Sequence, residues 1–353
     1  YCSCQLAKHM NFQPQPLALV DNQGQVALGV FPETVATING READYRTPMG
    51  QPAPRFARHF HYKQFQYFGV ISQELLAGCA LAHTAYLGMA FFYIFEPRTG
   101  RLREYTWRSP LGRELNMSTS PRHGESHFQR RGVDIRLGYQ EQDGALSKTL
   151  QVDLKDLSLN VQMDEGPEYQ PMSLCTRTGV NGWVYANKVA GRTVTGTLQQ
   201  DGNHQDLAEL GASGHHDFSA GYMRRETFWN WACLSALIGS TRVGLNLSCG
   251  VNETTFSENC LWVDDQLIPT GGVIFEYNRD DLMQPWTLRS QCGQVSLRFT
   301  PNGNHRERMN LGLFASNFNQ LFGRFDGELR LKDGRTLTID GQSGFVEEQY
   351  AKW

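Results

Sequence analysis

The sequence lacks the signature motifs of several large enzyme classes. It contains no Walker phosphate-binding loop, no Rossmann glycine fingerprint and no G-x-S-x-G nucleophile elbow. Each of these motifs builds a particular turn around a phosphate group or a reactive serine. Their absence argues against a nucleotide-driven enzyme and against an α/β-hydrolase.

An excess of charge of one sign is also missing. The 353 residues include 33 Lys and Arg and 36 Asp and Glu, which gives a net charge of −3. Binding to a phosphate backbone needs a basic excess, so we expect no nucleic-acid partner. The 40% hydrophobic and 20% charged content is that of a folded chain and excludes intrinsic disorder.

Cysteine is sparse, with eight residues and no C-x-x-C pair. This number does not support a disulfide scaffold and favours a reduced, cytoplasmic protein. Three pairs of potential metal ligands are present: Cys2 and Cys4, His59 and His61, and His123 and His127. None of the pairs has its remaining ligands at a zinc or cupin spacing, so we expect neither a metal site nor a cofactor.

One apolar stretch, Leu75 to Phe95, is long enough to cross a membrane. Two glycines, Gly78 and Gly88, interrupt it, and His83-Thr84 lies in its middle. Its second half is rich in aromatic residues, which favour strands. The stretch therefore predicts two buried strands and no integral membrane span.

Alternation of apolar and polar residues dominates the sequence, whereas helical periodicity is nearly absent. Alternating rows cover Val133 to Tyr139, Leu150 to Leu154 and Leu157 to Met163. A D-G step at Asp333-Gly334 between two such rows is a hairpin signal. Further turn signals are Asn39-Gly40, Asp143-Gly144 and Asp326-Gly327. Short strands at this density predict an all-β chain.

The segment Asp164 to Glu168 is acidic, contains a proline and follows a strand row. It predicts a boundary between two β lobes, residues 1–165 and 166–353. A single extended β-sandwich is the alternative.

The densest polar and aromatic segment runs from Gly214 to Trp231. Its His215, His216 and Asp217 are groups that transfer protons near neutral pH, provided that burial raises the pKa of the Asp. Adjacent histidines on a strand point to opposite faces, so at most one of them enters a shared site. A turn or cap role for the Asp is the alternative.

The same segment carries a cation and two indoles. Arg224 can bind a carboxylate, and Trp229 and Trp231 share one face of a strand, where aromatic rings stabilise a cation or pack a flat ligand. Core packing is the alternative for the two Trp residues.

Two further acidic positions are candidates. In the segment Asn252 to Asn259, Glu258 and Asn259 can face a cavity as acceptor and donor, with a polar hairpin turn as the alternative. Near the C-terminus, Glu347 shares a face with Phe345 and can enter a pocket beside the aromatic ring. A solvated acidic end is the alternative there.

Several motifs together resemble the bacterial domain-of-unknown-function 2804 family. They are the segment Asp217 to Trp231, Gly244-Leu245-Asn246-Leu247, Thr255 to Asn259, Phe318 to Gly323, and Gly344 to Trp353. More distantly, an Asp followed by Gly and then by a W-x-W strand is similar to the central motif of the carotenoid hydratase and tocopherol-cyclase-like group. That resemblance implies two consecutive lipocalin-like (calycin-like) β-barrel or β-sandwich lobes around an apolar site.

Members of the hydratase branch use the Asp of this motif to protonate a carbon–carbon double bond. The resemblance thus implies that Asp217 is the acid and that Trp229 and Trp231 stabilise the resulting cation. The residues after the Asp are Phe218-Ser219-Ala220-Gly221, where the hydratases have His-Asn-Trp-Gly, so only Asp and Gly of that element are retained.

We therefore expect a hydrophobic, lipid-like or isoprenoid-like small molecule in an apolar cavity near the lobe interface. Metal-independent hydration, cyclisation or isomerisation would use Asp217 as the acid and His215 or His216 as its proton partner. The possible orienting groups are Arg224, Glu258 and Asn259. The alternatives are a non-catalytic carrier or sensor of hydrophobic ligands and a carbohydrate-binding or sugar-modifying β protein.

Overall fold

The computed structural model of the chain describes residues 11–251, 254–310, 312 and 314–353. The Cys2 and Cys4 pair and the first two residues of the Asn252 to Asn259 segment lie outside this part. Strands dominate the described residues, which confirms the all-β prediction. Helical structure there consists of α1, Arg55–His61, and a 3-10 helix at Gly40–Glu42. No described helix is long and apolar enough to cross a membrane.

The N-terminal lobe is one antiparallel sheet of the described residues. Its strands are β1 Gly29–Val30, β2 Tyr62–Ile71, β3 Leu76–His83, β4 Leu87–Glu96, β5 Arg101–Pro110, β6 Leu115–Asn116, β7 Gly124–Arg130, β8 Val133–Gln142, β9 Ala145–Leu154, β10 Leu157–Glu165, β11 Met172–Arg177, β12 Trp183–Gln200, β13 Asn203–Asp206 and β14 Ser213–Tyr222. The main path is β5-β4-β3-β2-β14-β12-β10-β9-β8-β7-β6. Strands β2, β14 and β12 therefore lie in its middle.

The C-terminal lobe is a second antiparallel sheet. Its strands are β15 Glu226–Ile238, β16 Thr241–Cys249, β17 Cys260–Val263, β18 Gln266–Pro269, β19 Val273–Glu276, β20 Trp286–Ser290, β21 Val295–Asn310, β22 Ala315–Arg330 and β23 Thr336–Lys352. The order is β18-β17-β16-β15-β23-β22-β21-β20-β19, which places β15 and β23 side by side near the centre. One of the two sheets curves into a nearly closed barrel and the other into a half-barrel.

The boundary between the sheets lies between Tyr222 and Glu226, and not at the predicted 165/166 position. The acidic segment Asp164 to Glu168 is a connection within the first sheet, because β10 before it pairs with β12 after it. A proline and several acids mark a loop equally well in either position, so the sequence pattern alone did not separate the two cases.

Of the other predicted turns, two connect neighbouring strands and two have a different structure. Asp143-Gly144 connects β8 to β9 and Asp333-Gly334 connects β22 to β23, and the apolar stretch forms strands β3 and β4. Asn39-Gly40 instead starts the 3-10 helix. Asp326-Gly327 lies inside β22, where the pairing with β23 shifts register. A glycine with positive φ fits such a bulge as well as a hairpin turn.

A bend in β12 brings the two sheets together. Its first half pairs with β11 and β14 and its second half with β10 and β13, with a register shift between Val189 and Arg192. Gly191 within the shift has φ +73°, and a Cβ built on Gly244 of β16 would lie 2.6 Å from a backbone carbon of Ala190. The backbones of β12 and β16 therefore touch with no room for a side chain.

The main hydrophobic core extends across the contact between the two sheets. The larger cluster of buried side chains fills the first lobe and continues into the second through Trp231, Trp262, Phe322 and Phe345. A smaller cluster, including Trp286 and Phe299, packs beneath the remainder of the second sheet. The interface between the lobes is therefore part of the main core.

Candidate functional site

Two cross-strand pairs face each other where the sheets meet. In the first lobe Lys188 of β12 lies directly opposite Asp217 of β14. In the second lobe Trp231 of β15 lies directly opposite Glu347 of β23. The Nζ atom of Lys188 lies 5.0 Å from the centre of a ring of Trp231, so the two pairs are in contact across the interface.

The first pair is a buried ion pair with two further partners. Nζ of Lys188 lies 2.6 Å from Oδ2 of Asp217, and the hydroxyl of Ser219 donates to Oδ1 of Asp217 at 2.9 Å. Oε1 of Glu258 lies 3.6 Å from the same Nζ. Lys188, Asp217 and Glu258 are 6%, 5% and 4% exposed, so this charge is largely removed from water.

Glu347 receives its hydrogen bonds from neutral donors. Nε2 of Gln320 donates to Oε1 at 2.7 Å, and the indole Nε1 of Trp229 donates to Oε2 at 3.4 Å. Trp231 is fixed by a hydrogen bond from its Nε1 to Oδ1 of Asn246 at 2.7 Å. Nδ2 of Asn246 in turn donates to the backbone carbonyl of Glu258 at 2.9 Å.

We call Lys188, Asp217, Glu258 and Glu347 the carboxyl cluster, because it has three carboxyl groups for one ammonium group. Burial lowers the pKa of Lys188, but Asp217 and Glu258 outweigh this effect and hold the pKa above its ordinary value. Burial raises the pKa of Asp217, and the Lys188 ammonium opposes that rise.

Burial in the carboxyl cluster also changes the pKa of Glu347. Burial raises its pKa to about 8, although the Trp229 hydrogen bond and the charge of Lys188 act in the opposite direction. A carboxyl group with this pKa carries its proton at neutral pH, where it can act as an acid.

A cavity of about 410 Å³ lies between the sheets, and the whole carboxyl cluster lines it. The volume falls within the range of small-molecule pockets. Apolar side chains from both lobes form much of the remaining wall: Phe65, Ala82, Leu87, Met89, Phe91, Val184, Trp229, Trp231 and Phe318. The arrangement therefore joins an apolar wall with charged and acidic groups.

The two histidines lie on opposite faces of β14, as the alternation required, and neither forms a hydrogen bond with Asp217, whose partners are Lys188 and Ser219. His216 contacts the hydroxyl of Tyr139 at 3.1 Å inside the first lobe. Burial and the charge of Lys188 lower the pKa of His215 to about 3, and neither of its ring nitrogens has a hydrogen-bond partner. Its ring packs against Tyr67 and Phe345 instead.

The remaining candidates separate into cavity and support positions. Trp229 and Trp231 both line the cavity, as does Arg224, whose Nε donates to the backbone carbonyl of Thr178 at 3.1 Å. Asn259 is 2% exposed and does not line the cavity; its Oδ1 accepts from the backbone N–H of Ser248 at 2.5 Å. Asn259 therefore holds the loop that positions Glu258.

Sequence reasoning missed the cation of the cluster. Lys188 stands in the run Trp183 to Ala190, which is otherwise apolar except for Asn187. A single Lys in a buried strand requires an acidic partner, and this was the signal available. Gln320 gave no comparable signal.

The histidine pairs do not assemble a metal site. His59 and His61 belong to α1 and not to a strand, while His127 bonds to Asp134 at 3.0 Å and His123 lies 3.5 Å from Glu141. Within residues 11–251, 254–310, 312 and 314–353, no group of three or more His, Cys, Asp and Glu side chains is arranged to hold a metal ion.

Comparison with known proteins identifies one family and several similar solved structures. The chain is similar to an AttH-like protein from Nitrosomonas europaea, with 12% identity over 82% of this chain and 92% of that chain and a TM-score of 0.47. It is also similar to kievitone hydratase from Nectria haematococca, with 9% identity over 82% and 88% of the two chains and a TM-score of 0.47. No curated protein matches the sequence. Residues 11–353 match the model of the domain of unknown function DUF2804, and the chain belongs to that family.

Proposed function

We propose that this protein binds a hydrophobic, lipid-like or isoprenoid-like small molecule in the cavity between its sheets and transfers a proton to it. The observation that carries the proposal is the carboxyl cluster, in which three buried carboxyl groups of the cavity wall surround one buried ammonium group. Binding alone needs only apolar walls, whereas burying three carboxyl groups beside one ammonium costs folding stability. Such an arrangement is typical of sites that use proton transfer.

We assign different roles to two of the carboxyl groups. Glu347 accepts hydrogen bonds from neutral donors and holds a proton at neutral pH, so it is the proton donor. Asp217 is paired with the Lys188 ammonium at 2.6 Å, which favours the carboxylate, so it is the proton acceptor. The sequence-based hypothesis made Asp217 the acid, whereas here Glu347 is the acid and Asp217 is the base.

The reaction class is acid-catalysed hydration, cyclisation or isomerisation of an alkene. The O–H bond of Glu347 breaks, the π electrons form a C–H bond, and a carbocation remains beside the Glu347 carboxylate. In hydration, water adds to the cation and releases a proton to Asp217. In cyclisation, a second double bond attacks the cation, and the new cation formed on that bond loses a neighbouring C–H proton to Asp217. In isomerisation, the first cation loses a neighbouring C–H proton to Asp217 directly. The proton returns from Asp217 to Glu347 through water after the product leaves.

Two indole rings support this chemistry. Those of Trp229 and Trp231 line the same cavity, and the negative face of an indole stabilises a nearby cation. The position of both indoles inside a cavity, rather than on an exposed platform, disfavours the carbohydrate-binding alternative.

Ligand binding is tested with N-phenyl-1-naphthylamine, a neutral dye that fluoresces in apolar surroundings. We expect Ala82→Phe to reduce dye binding at least about tenfold, because Ala82 lines the cavity. Ala208→Phe, at an exposed turn, is the matched control and should bind the dye like the wild type. Equal binding by the two variants would refute the cavity as the binding site.

Proton transfer is tested with geranylgeraniol, an isoprenoid alcohol, in D₂O. Protonation of a double bond in this solvent leaves a C–D bond that mass spectrometry detects. We expect deuterium incorporation by the wild type and by Glu348→Gln, whose carboxyl group points away and accepts from Tyr277 at 2.6 Å. Glu347→Gln should bind the dye but incorporate no deuterium. Dye binding with no wild-type incorporation from isoprenoid alkenes would favour the non-catalytic carrier.

A further inference from the structure

One long segment next to the cavity is free of acidic residues. From Tyr45 to Gln73 the chain contains no Asp or Glu, although the whole protein has a net charge of −3. The basic and potentially basic residues of this segment are Arg46, Arg55, Arg58, His59, His61 and Lys63. Helix α1 lies in its middle, and none of its residues is buried. The segment is therefore a local basic region on an otherwise slightly acidic protein.

A series of aromatic contacts connects α1 to the cavity. The rings of Phe56 and Phe60 lie 4.9 Å apart, and Phe60 stacks on Tyr86 at 4.4 Å. Tyr86 contacts Phe314 at 4.7 Å, and both of these rings line the cavity. Phe56 itself is 63% exposed. Helix α1 thus lies beside the cavity, with one aromatic side chain directed into solvent.

The turn between β11 and β12 lies at the same end of the molecule. Nδ2 of Asn181 donates to the backbone carbonyl of Arg46 at 2.7 Å. Thr178, at the start of this turn, lines the cavity and accepts the hydrogen bond from Arg224. Asn181 therefore holds the β11–β12 turn against the loop before α1, and Thr178 and Arg224 connect this turn to the cavity, whereas the loop and the turn themselves line a separate pocket.

Three large apolar side chains project from these loops and the helix. Met49, Phe56 and Val180 are 86%, 63% and 71% exposed. We call these three residues the mouth surface, together with Arg46, Arg55 and Arg224. Two nearby acids are paired with bases: Asp44 with Arg46 at 2.7 Å, and Glu226 with Lys352 at 3.3 Å.

We propose that the mouth surface docks onto an anionic lipid bilayer, so that the cavity opens towards the acyl chains. Arginines attract anionic headgroups, while exposed Met, Phe and Val side chains insert at the boundary between headgroups and acyl chains. A hydrophobic ligand then passes from the bilayer to the cavity without crossing water. Ligand transfer by this route rests on the proposed ligand binding. Docking onto the bilayer does not depend on it.

Vesicle sedimentation tests the docking without any ligand. We expect the wild type to bind vesicles of phosphatidylcholine and phosphatidylglycerol, to bind phosphatidylcholine alone weakly, and to be released by salt. Arg55→Glu should weaken binding to the anionic vesicles at least about tenfold, because it removes the attraction of one basic residue and adds a carboxylate that the surface repels. Phe56→Ser should weaken it as well.

Matched controls lie away from the mouth surface. Leu237→Ser removes a side chain that is 52% exposed at the far end of β15, and Arg298→Glu reverses an exposed charge on β21. Both should bind vesicles like the wild type. Equal losses in the four variants, or no vesicle binding by the wild type, would overturn the proposal. Arg55→Glu should still bind N-phenyl-1-naphthylamine, which separates failed docking from failed ligand binding.

Discussion

Lys188 and Asp217 occupy directly opposite positions on neighbouring strands, and Nζ of Lys188 lies 2.6 Å from Oδ2 of Asp217. This cross-strand ion pair is almost completely buried, and it also places the ammonium 3.6 Å from Glu258 of the other lobe. The Lys188 side chain thus offsets negative charge from both lobes.

Lys188→Met should therefore destabilise the protein by about 3–5 kcal/mol, because it leaves buried carboxyl groups without their cation. Urea unfolding at pH 7 measures this loss. The double variant Lys188→Met/Asp217→Asn should recover part of it, since one unpaired charge is then absent. Lys155→Met, at an exposed turn, should change the free energy of unfolding by less than about 0.5 kcal/mol. Similar losses in both single variants would contradict the burial of the ion pair.

Glu347 should make the stability of the wild type depend on pH. Its pKa is about 8 in the folded chain, against 4.5 in its unperturbed form. A raised pKa means that the group's stabilising contribution is complete below about pH 4.5 and decreases as pH rises towards 8. Over that range the wild type should lose up to about 1.4 kcal/mol per pH unit relative to Glu347→Gln.

Unfolding by urea at a series of pH values measures this difference. Glu348→Gln removes a carboxyl group from the adjacent position and should retain the decline due to Glu347. Parallel pH profiles for the wild type and Glu347→Gln would show that Glu347 ionises normally in the folded protein.

His215 should make the stability of the wild type decrease as pH falls, which is opposite to the effect of Glu347. Its pKa is about 3 in the folded chain, well below the ordinary value of 6.5. A lowered pKa means that the stabilising contribution is complete above pH 6.5 and decreases as pH falls. His215→Phe cannot gain a proton, so its stability relative to the wild type should rise by up to about 1.4 kcal/mol per pH unit below pH 6.

This variant also tests the sequence-based prediction that His215 is a proton partner of Asp217. We expect His215→Phe to retain deuterium incorporation from geranylgeraniol in D₂O, because its ring nitrogens bond to no group of the carboxyl cluster. Loss of incorporation with unchanged dye binding would return His215 to the mechanism.

The contact between β12 and β16 should not accept a side chain. A Cβ at Gly244 would lie 2.6 Å from backbone of Ala190 and 2.8 Å from the backbone nitrogen of Gly191. Gly244→Ala should therefore cost about 1–3 kcal/mol in thermal or urea unfolding. Gly166→Ala is the matched control, since its nearest neighbour would lie 3.9 Å from the new Cβ. A neutral Gly244→Ala would show that the lobes can separate locally.

The all-β architecture followed from the sequence because alternating rows such as Val133 to Tyr139 have one preferred structure. The lobe boundary did not, because Asp164 to Glu168 has the composition of any polar connection. The pairing that decides the boundary, β10 with β12, joins residues far apart in the chain. Local patterns contain no information on such a pairing.

The candidate site also combines features that local sequence patterns predict with features that depend on residues far apart in the chain. The alternation within β14 correctly separated His215 from His216, and Trp229 and Trp231 do share the cavity. The roles of Asp217 and Glu347 depend on Lys188 and Gln320, which come from other strands. Ionisation is set by these tertiary neighbours, so the residues that bear the carboxyl groups were identifiable while their protonation was not.

The carboxyl cluster also determines how the chain can fold. Lys188 and Asp217 belong to the first sheet, Glu347 belongs to the second, and Glu258 lies in the loop between β16 and β17 of the second lobe. Either lobe alone would present its charged half to water and would lose the shared core around Trp231. The two lobes thus depend on each other although each forms its own sheet, and a cut between Tyr222 and Glu226 would yield fragments that recover the site only by reassociating. We therefore expect the protein to unfold as one cooperative unit, because the carboxyl cluster forms only when both lobes are folded and in contact.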